Sequence, residues 1–97
     1  GDETGKILGL RMKVIQDLRS HAKGTDLAEL TGRMSCGCYE VPALDFKSYG
    51  VYTDTMAVGA YRGAGRPEAA YYVERAIDLL ADAAGVDPVE VRRRNFI

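Results

Sequence analysis

The apolar and polar positions of this chain fall into runs of different period, and each run predicts an element. Over residues 6–15, Leu8, Leu10, Met12 and Val14 alternate with Gly9, Arg11 and Lys13, the period of a half-buried strand. Asp2-Glu3-Thr4-Gly5 ahead of it reads as a hairpin turn. His21-Ala22-Lys23-Gly24 reads as a bend. Asp26 then reads as the N-cap of a short helix, with Glu29 closing a capping box and Leu27, Leu30 and Met34 on one face. Residues 39–53 are mostly extended, because Pro42 keeps its predecessor out of the helical region and Leu44 and Phe46 alternate with Asp45 and Lys47. After Ser48 the apolar phase slips to Tyr49 and Val51, which predicts a bulge or a break near Gly50.

The helical period is clearest over residues 67–84. Ala70, Val73, Ile77, Leu80 and Ala84 recur on one side, and Glu74, Arg75, Asp78 and Asp82 on the other. Pro67 suits the first turn and Gly85 the position just past the end. A second helix start follows: Asp87 as N-cap, Pro88 at N1, Glu90 for a capping box, and Val86 placed to staple onto Val91. The sum is an α+β chain: strand and short helix over residues 5–38, a strand over 39–55, a Gly-rich loop over 56–66, and helices over 67–97. The loop, Ala60-Tyr61-Arg62-Gly63-Ala64-Gly65-Arg66-Pro67, feeds a helix N-terminus, where free N–H groups and partial positive charge suit an anion. On pattern alone, a plain turn explains it as well.

Composition narrows the function. Ninety-seven residues make one domain at most, and 13 basic against 14 acidic residues give no support for binding nucleic acid or an anionic membrane. No apolar run approaches the roughly 20 residues of a membrane span. His21 has no second histidine to share a metal and reads as a surface histidine. Cys36-Gly37-Cys38 supplies too few ligands for structural zinc, and a disulfide across one residue is strained; small buried cysteines entering a strand fit better than a functional thiol pair. Cysteines without a secretory framework fit a reducing, cytoplasmic compartment. Arg92-Arg93-Arg94 suits the last turn of a helix, on a solvated or subunit-facing side, rather than a nucleic-acid patch. A turn that opens the chain and an apolar Phe96-Ile97 end read as cut edges, so a fragment is expected.

The run Val51-Tyr52-Thr53-Asp54-Thr55, the loop through Pro67-Glu68-Ala69-Ala70, Val73-Glu74-Arg75 and the closing Asp87-Pro88-Val89-Glu90-Val91-Arg92-Arg93-Arg94-Asn95 resemble one family. It is the molybdenum-binding large subunit of the molybdenum hydroxylases: xanthine dehydrogenase, aldehyde oxidase and aerobic carbon monoxide dehydrogenase. The resemblance is greatest to carbon-monoxide-dehydrogenase-like large subunits, and it covers nearly the whole chain but a small part of such a subunit. It implies part of a molybdopterin-binding domain, in an oxidoreductase that hydroxylates small substrates with water-derived oxygen. It also implies molybdenum-molybdopterin, usually the cytosine dinucleotide form in bacterial relatives, with electrons passing to 2Fe-2S and FAD in partner subunits or domains.

By the same resemblance Arg62 contacts the cofactor, partly through its main-chain N–H. Tyr61, Gly63, Ala64 and Gly65 wall the site, and Arg66 either joins them or pairs with an acidic group near the helix start. None of these residues ligates the metal directly. Gly63 stands where copper-dependent members carry a cysteine, and Ala64 where purine-oxidising members carry an aromatic residue. Those departures count against carbon monoxide and leave aldehydes or N-heterocycles. An arginine of the purine enzymes falls near Leu30 by spacing; Arg33 is the nearest, and its role is not carried over. The family's general-base glutamate lies outside these residues. Glu68 and Glu74 are expected to be helix-surface groups, so the 97 residues alone are expected to be inactive. The competing reading is a small non-enzymatic α/β module whose loop binds an anion or a protein.

Overall fold

The computed structural model describes residues 1–20, 27–57 and 59–97; the bend at residues 21–24, the surface reading of His21 and the Asp26 cap lie outside them. The order is β1 (Leu10–Arg19), α1 (Leu27–Arg33), β2 (Leu44–Tyr52), α2 (Arg66–Ala84) and α3 (Pro88–Asn95), an α+β fold. β1 and β2 pair in parallel from Leu10↔Leu44 to Asp17↔Val51, with α1 in the connection between them. The expected turn at Asp2–Gly5 is formed: the Gly5 N–H reaches the Asp2 carbonyl and the Asp2 N–H the Lys6 carbonyl, both at 3.0 Å. The first strand starts at Leu10 rather than Lys6, because the residues before it have other partners. Asp2 Oδ1 accepts the N–H groups of Thr4 and Lys6 at 2.9 and 3.0 Å, and the Ile7 N–H goes to Asn95 Oδ1 at 2.8 Å. Backbone groups already paired in a turn or to a side chain cannot join a ladder.

The irregularity expected near Gly50 of β2 lies on β1 instead, where the register shifts between Asp17 and Arg19. Gly50 leaves room for the Leu18 side chain: a Cβ there would lie 2.6 Å from Leu18 Cδ1. α1 buries Ala28, Thr31 and Gly32 and leaves Met34 exposed, so its inner face differs from the expected Leu27, Leu30 and Met34. Small residues face inward because the helix backbone approaches its neighbours closely. Glu29 pairs with Arg33 at 2.5 Å. Cys36 and Cys38 are free thiols, half-buried and exposed, in the turns after α1 rather than in a core. Gly37, at φ 58°, turns the chain there, and Tyr39 takes the inner position.

The core is Ile7, Tyr39, Val73, Ile77, Ala81 and Val91, closed at its margin by Val41, Leu80 and Val86. Burying each large aliphatic member contributes about 1.5–3 kcal/mol. The fully buried side of α2 is Ala69, Val73, Ile77 and Ala81; of the expected face Val73 and Ile77 are buried, Leu80 packs on the core margin and Ala84 is half-buried, while Ala70 is exposed and Ala69 takes its place. Arg92 of α3 sits on the flank of α2, donating to Glu74 Oε2 at 2.8 Å and Asp78 Oδ1 at 2.9 Å. Arg92 is therefore a tie between helices, and Arg94 donates to the Thr4 carbonyl, so the arginine run is not simply solvated.

The helix ends follow the local signals. Gly85 is left-handed at φ 66°, and Asp87 accepts the Val89 N–H at 2.7 Å. Glu90 accepts from Arg93 at 2.7 Å instead of completing a box. The segment around Tyr39 pairs with the end of α3: Tyr39 bridges Phe96, with rings stacked at 5.4 Å, and Glu40 donates to the Asn95 carbonyl. Burial, then its 2.6 Å bond to Glu74, pushes the Tyr39 hydroxyl above the usual phenol range.

Candidate functional site

The two strands end side by side, and their ends fix the entry to the Gly-rich loop. Thr53 Oγ1 donates to Asp17 Oδ1 at 2.8 Å, the Ser20 N–H to the Thr55 carbonyl at 3.1 Å, and Arg19 to Thr55 Oγ1 at 2.9 Å. Arg19 takes a left-handed φ of 62°, which aims its N–H at Asp17 Oδ1, 2.8 Å away. That bond leads the causes holding the Asp17 carboxyl below its usual range. The last residues of parallel strands are a common place for ligand sites in sheets of this kind.

Beyond Thr55 the loop closes in tight turns: the Ala64 N–H reaches the Tyr61 carbonyl at 2.9 Å, and the Arg66 N–H reaches the Gly63 carbonyl at 2.9 Å. Gly63 and Gly65 carry φ of 86° and 82°, values only glycine adopts at little cost. They differ in what surrounds them. Around Gly63 the space is open, with Pro67 at 3.9 Å from a Cβ built there. Gly65 is buried; its Cβ would lie 2.7 Å from Leu30 Cβ and 3.0 Å from the Leu30 and Thr31 main chain. One glycine presents its backbone outward, and the other seats the loop on α1. The turn then runs into α2, whose first bond is Ala69 N–H to the Gly65 carbonyl at 3.2 Å.

The structure gathers the sequence-derived residues unevenly. Tyr61, Arg62 and Ala64, with Leu27, Pro67 and Glu68, line a hollow of about 220 Å³. Gly65 lies behind it and lines a second hollow of about 210 Å³ with Gln16, Asp17, Ala28 and Tyr72. Leu27 and Glu68 border both. Arg66 points along the turn, its guanidinium 3.5 Å from the Ala64 carbonyl, and forms no ion pair among the described residues. Tyr61 is 87% exposed. Glu74 is occupied by Tyr39 and Arg92, as a helix-surface carboxylate with structural duties. The seating of the loop on Leu30 and Thr31 of α1, with Gly32 on the same helix packed against Phe46, is the feature sequence reasoning missed. A glycine inside a helix costs about 1 kcal/mol relative to alanine, and that cost was the available signal of close packing.

Chemically, the hollow brings the Arg62 guanidinium and the Glu68 carboxylate to one opening, with free donors on the loop at its edge. Among the described residues, the Arg62 guanidinium and the N–H groups of Arg62 and Gly63 have no partner, and Gly63 lacks the side chain that would cover them. An arginine and two free amides in the turn that leads into a helix match oxygen atoms carrying negative charge. That donor set fits the oxygen-rich, anionic face of a metal–pterin group. No group of three or more His, Cys, Asp or Glu side chains able to hold a metal occurs among the described residues. Among the same residues, no helix is long and apolar enough to cross a membrane.

The relatives are consistent with this geometry. The family model of the molybdopterin cofactor-binding domain matches residues 1–96. The chain is 37% identical over 98 residues to the carbon monoxide dehydrogenase large chain of Hydrogenophaga pseudoflava, covering 96% of this chain and 12% of that one. It is 33% identical over 98 residues to the 6-hydroxypseudooxynicotine dehydrogenase complex subunit gamma of Paenarthrobacter nicotinovorans, covering 99% and 12%. Its fold superposes on a solved Cu,Mo-CO dehydrogenase with a TM-score of 0.87 at 34% identity, over 100% of this chain and 13% of that one. The chain thus spans about an eighth of the length of these relatives. It belongs to the molybdopterin cofactor-binding domain family of the molybdenum hydroxylases.

Proposed function

We propose that this chain is one part of the molybdenum-binding subunit of a hydroxylating oxidoreductase, and that residues 60–66 hold the cofactor against the body of the subunit. The observation that carries the reading is the unpartnered set of donors at Arg62 and Gly63, on a loop braced from behind at Gly65. The open sheet supports a larger assembly. The radius of gyration is 15.4 Å, against about 13 Å for a self-contained domain of 100 residues. Ile15, Tyr49 and Val51 are also left exposed on the strands.

In this reading Arg62 binds oxygen atoms of the molybdopterin group through its guanidinium and its N–H. Gly63 adds a second N–H, and its missing side chain lets the group approach the main chain. Tyr61, Ala64 and Gly65 form the wall, and Arg66 adds positive charge at the α2 terminus. When bound, the cofactor supplies the redox chemistry that converts a substrate C–H to C–OH with oxygen from water, releasing two electrons. This chain's residues fix the cofactor and neutralise negative charge; donors preset in a water-poor pocket stabilise charge without reorganising. The general base comes from another part of the subunit, since Glu74 is tied down by Tyr39 and Arg92 and Glu68, although it borders the hollow, belongs to the first turn of α2.

The cofactor is the cytosine dinucleotide form, and the electrons leave through 2Fe-2S and FAD partners. Gly63 has no side chain with which to ligate copper, and Ala64 offers no aromatic platform, so the substrates are aldehydes or N-heterocycles rather than carbon monoxide or purines. The free thiols of Cys36 and Cys38 suit a cytoplasmic location.

The test is Arg62→Ala in the intact subunit, read as molybdenum and pterin per polypeptide. A hydrogen bond to a charged group contributes about 1.5–3 kcal/mol, so cofactor retention falls about 10- to 100-fold, with Arg62→Lys between the two. Full molybdenum and pterin in a folded Arg62→Ala subunit would show that Arg62 does not hold the cofactor.

A further inference from the structure

α1 is gripped on two sides by glycine contacts. On one side Gly32 faces the sheet: a Cβ there would lie 2.6 Å from Phe46 Cε1 and 2.7 Å from Phe46 Cδ1. On the other, Leu30 and Thr31 meet Gly65 of the loop, where a Cβ would lie 2.7 Å from Leu30 Cβ and 3.0 Å from main chain. Leu30 and Gly32 are two residues apart, about 200° around a helix, so the contacts fall on opposite faces. The first turn of α1 is also pinned to β1, where Gln16 Oε1 accepts the Ala28 N–H at 3.0 Å. A short helix fixed in this way has no slack, because packed interiors transmit displacement rather than absorb it.

We propose that α1 is a spacer that sets the distance between the sheet and the cofactor loop, which makes Gly32 and Phe46 positioning residues for Arg62–Ala64 although neither lines that loop's hollow. The proposal rests on the reading of residues 60–66 as the cofactor loop. A methyl at Gly32 pushes α1 off the Phe46 ring toward Gly65, and the loop moves with it. Gly65 cannot yield, because two of its three nearest neighbours are main-chain atoms.

The experiment is Gly32→Ala in the intact, cofactor-loaded subunit, with hydrogen exchange followed at the Ala64 and Arg66 amides, whose bonds close the loop's turns. Exchange there is expected to rise about tenfold, and the molybdenum(V) electron-paramagnetic-resonance signal to shift. Adding Phe46→Leu, which lacks the ring atoms nearest Gly32, is expected to reverse both. Unchanged loop exchange in a folded Gly32→Ala subunit, or no reversal by Phe46→Leu, overturns the spacer. Faster, reversible exchange with an unmoved molybdenum signal upholds the spacer and removes molybdenum from this loop, so the two ideas fail separately. Should Gly32→Ala not accumulate, Phe46→Ala alone opens the same joint. It too is expected to speed loop exchange, and an unchanged rate overturns the proposal.

Discussion

Replacing Asn95 by alanine is expected to cost about 3–4 kcal/mol, among the largest losses open to a single substitution here. Asn95 is fully buried, and its amide makes three bonds: it accepts the Ile7 N–H at 2.8 Å and donates to the Gly5 carbonyl at 2.8 Å and the Val91 carbonyl at 2.7 Å. Alanine removes all of them and strands the Ile7 N–H and Gly5 carbonyl out of water. Each orphaned group costs about 1–3 kcal/mol, and the surrounding core cannot collapse to re-pair them. A domain is stable by only about 5–15 kcal/mol, so the clasp between residues 5–7 and α3 should open first. Hydrogen exchange at the Ile7 amide of the intact subunit is the check, with protection expected to fall more than about a hundredfold. Asn95→Asp should also be damaging, since it keeps the acceptor for Ile7 but turns a carboxylate toward two carbonyls. Wild-type protection of Ile7 in Asn95→Ala would show that the clasp is not what holds this end.

Gly65→Ala is the second large effect, and it links stability to the cofactor. The left-handed φ of 82° costs a side-chain-bearing residue about 1–2 kcal/mol, and crowding against α1 adds about 1–3 kcal/mol. A total near 3 kcal/mol should lower the melting temperature and reduce molybdenum per polypeptide together, because the loop and the start of α2 shift as one. Leu30→Ala should not rescue it: the closest contacts are Leu30 Cβ and main-chain atoms, which alanine keeps. Wild-type melting and full molybdenum in Gly65→Ala would mean that the loop does not seat on α1 as described.

Features written in the nearest few residues were legible in the sequence. Asp87 caps α3 and Gly85 ends α2 because those bonds span two to five positions. The Gly-rich loop into α2 was legible for a similar reason: its glycines, arginines and Pro67 sit in one uninterrupted run. What depends on distant partners was not. The alternation of β1 showed a strand but not that its neighbour would be β2 in parallel, since period 2 is common to both arrangements. The α2 face was legible through Val73, Ile77 and Leu80, but not that Ala69 rather than Ala70 would be buried, since neighbouring alanines look alike until a partner packs on one of them. Asn95 closes the motif that marked the family, yet its task is a clasp onto residues some 90 positions away, beyond the reach of any local pattern.

The most direct measurement of the central idea is anomalous diffraction at the molybdenum edge from crystals of the intact subunit. The expected result is an anomalous peak in front of Tyr61–Ala64, with the Arg62 guanidinium and the Gly63 N–H turned toward the group that holds the metal. A peak elsewhere, with Arg62 facing solvent, would contradict it and leave residues 60–66 as a turn that only joins β2 to α2.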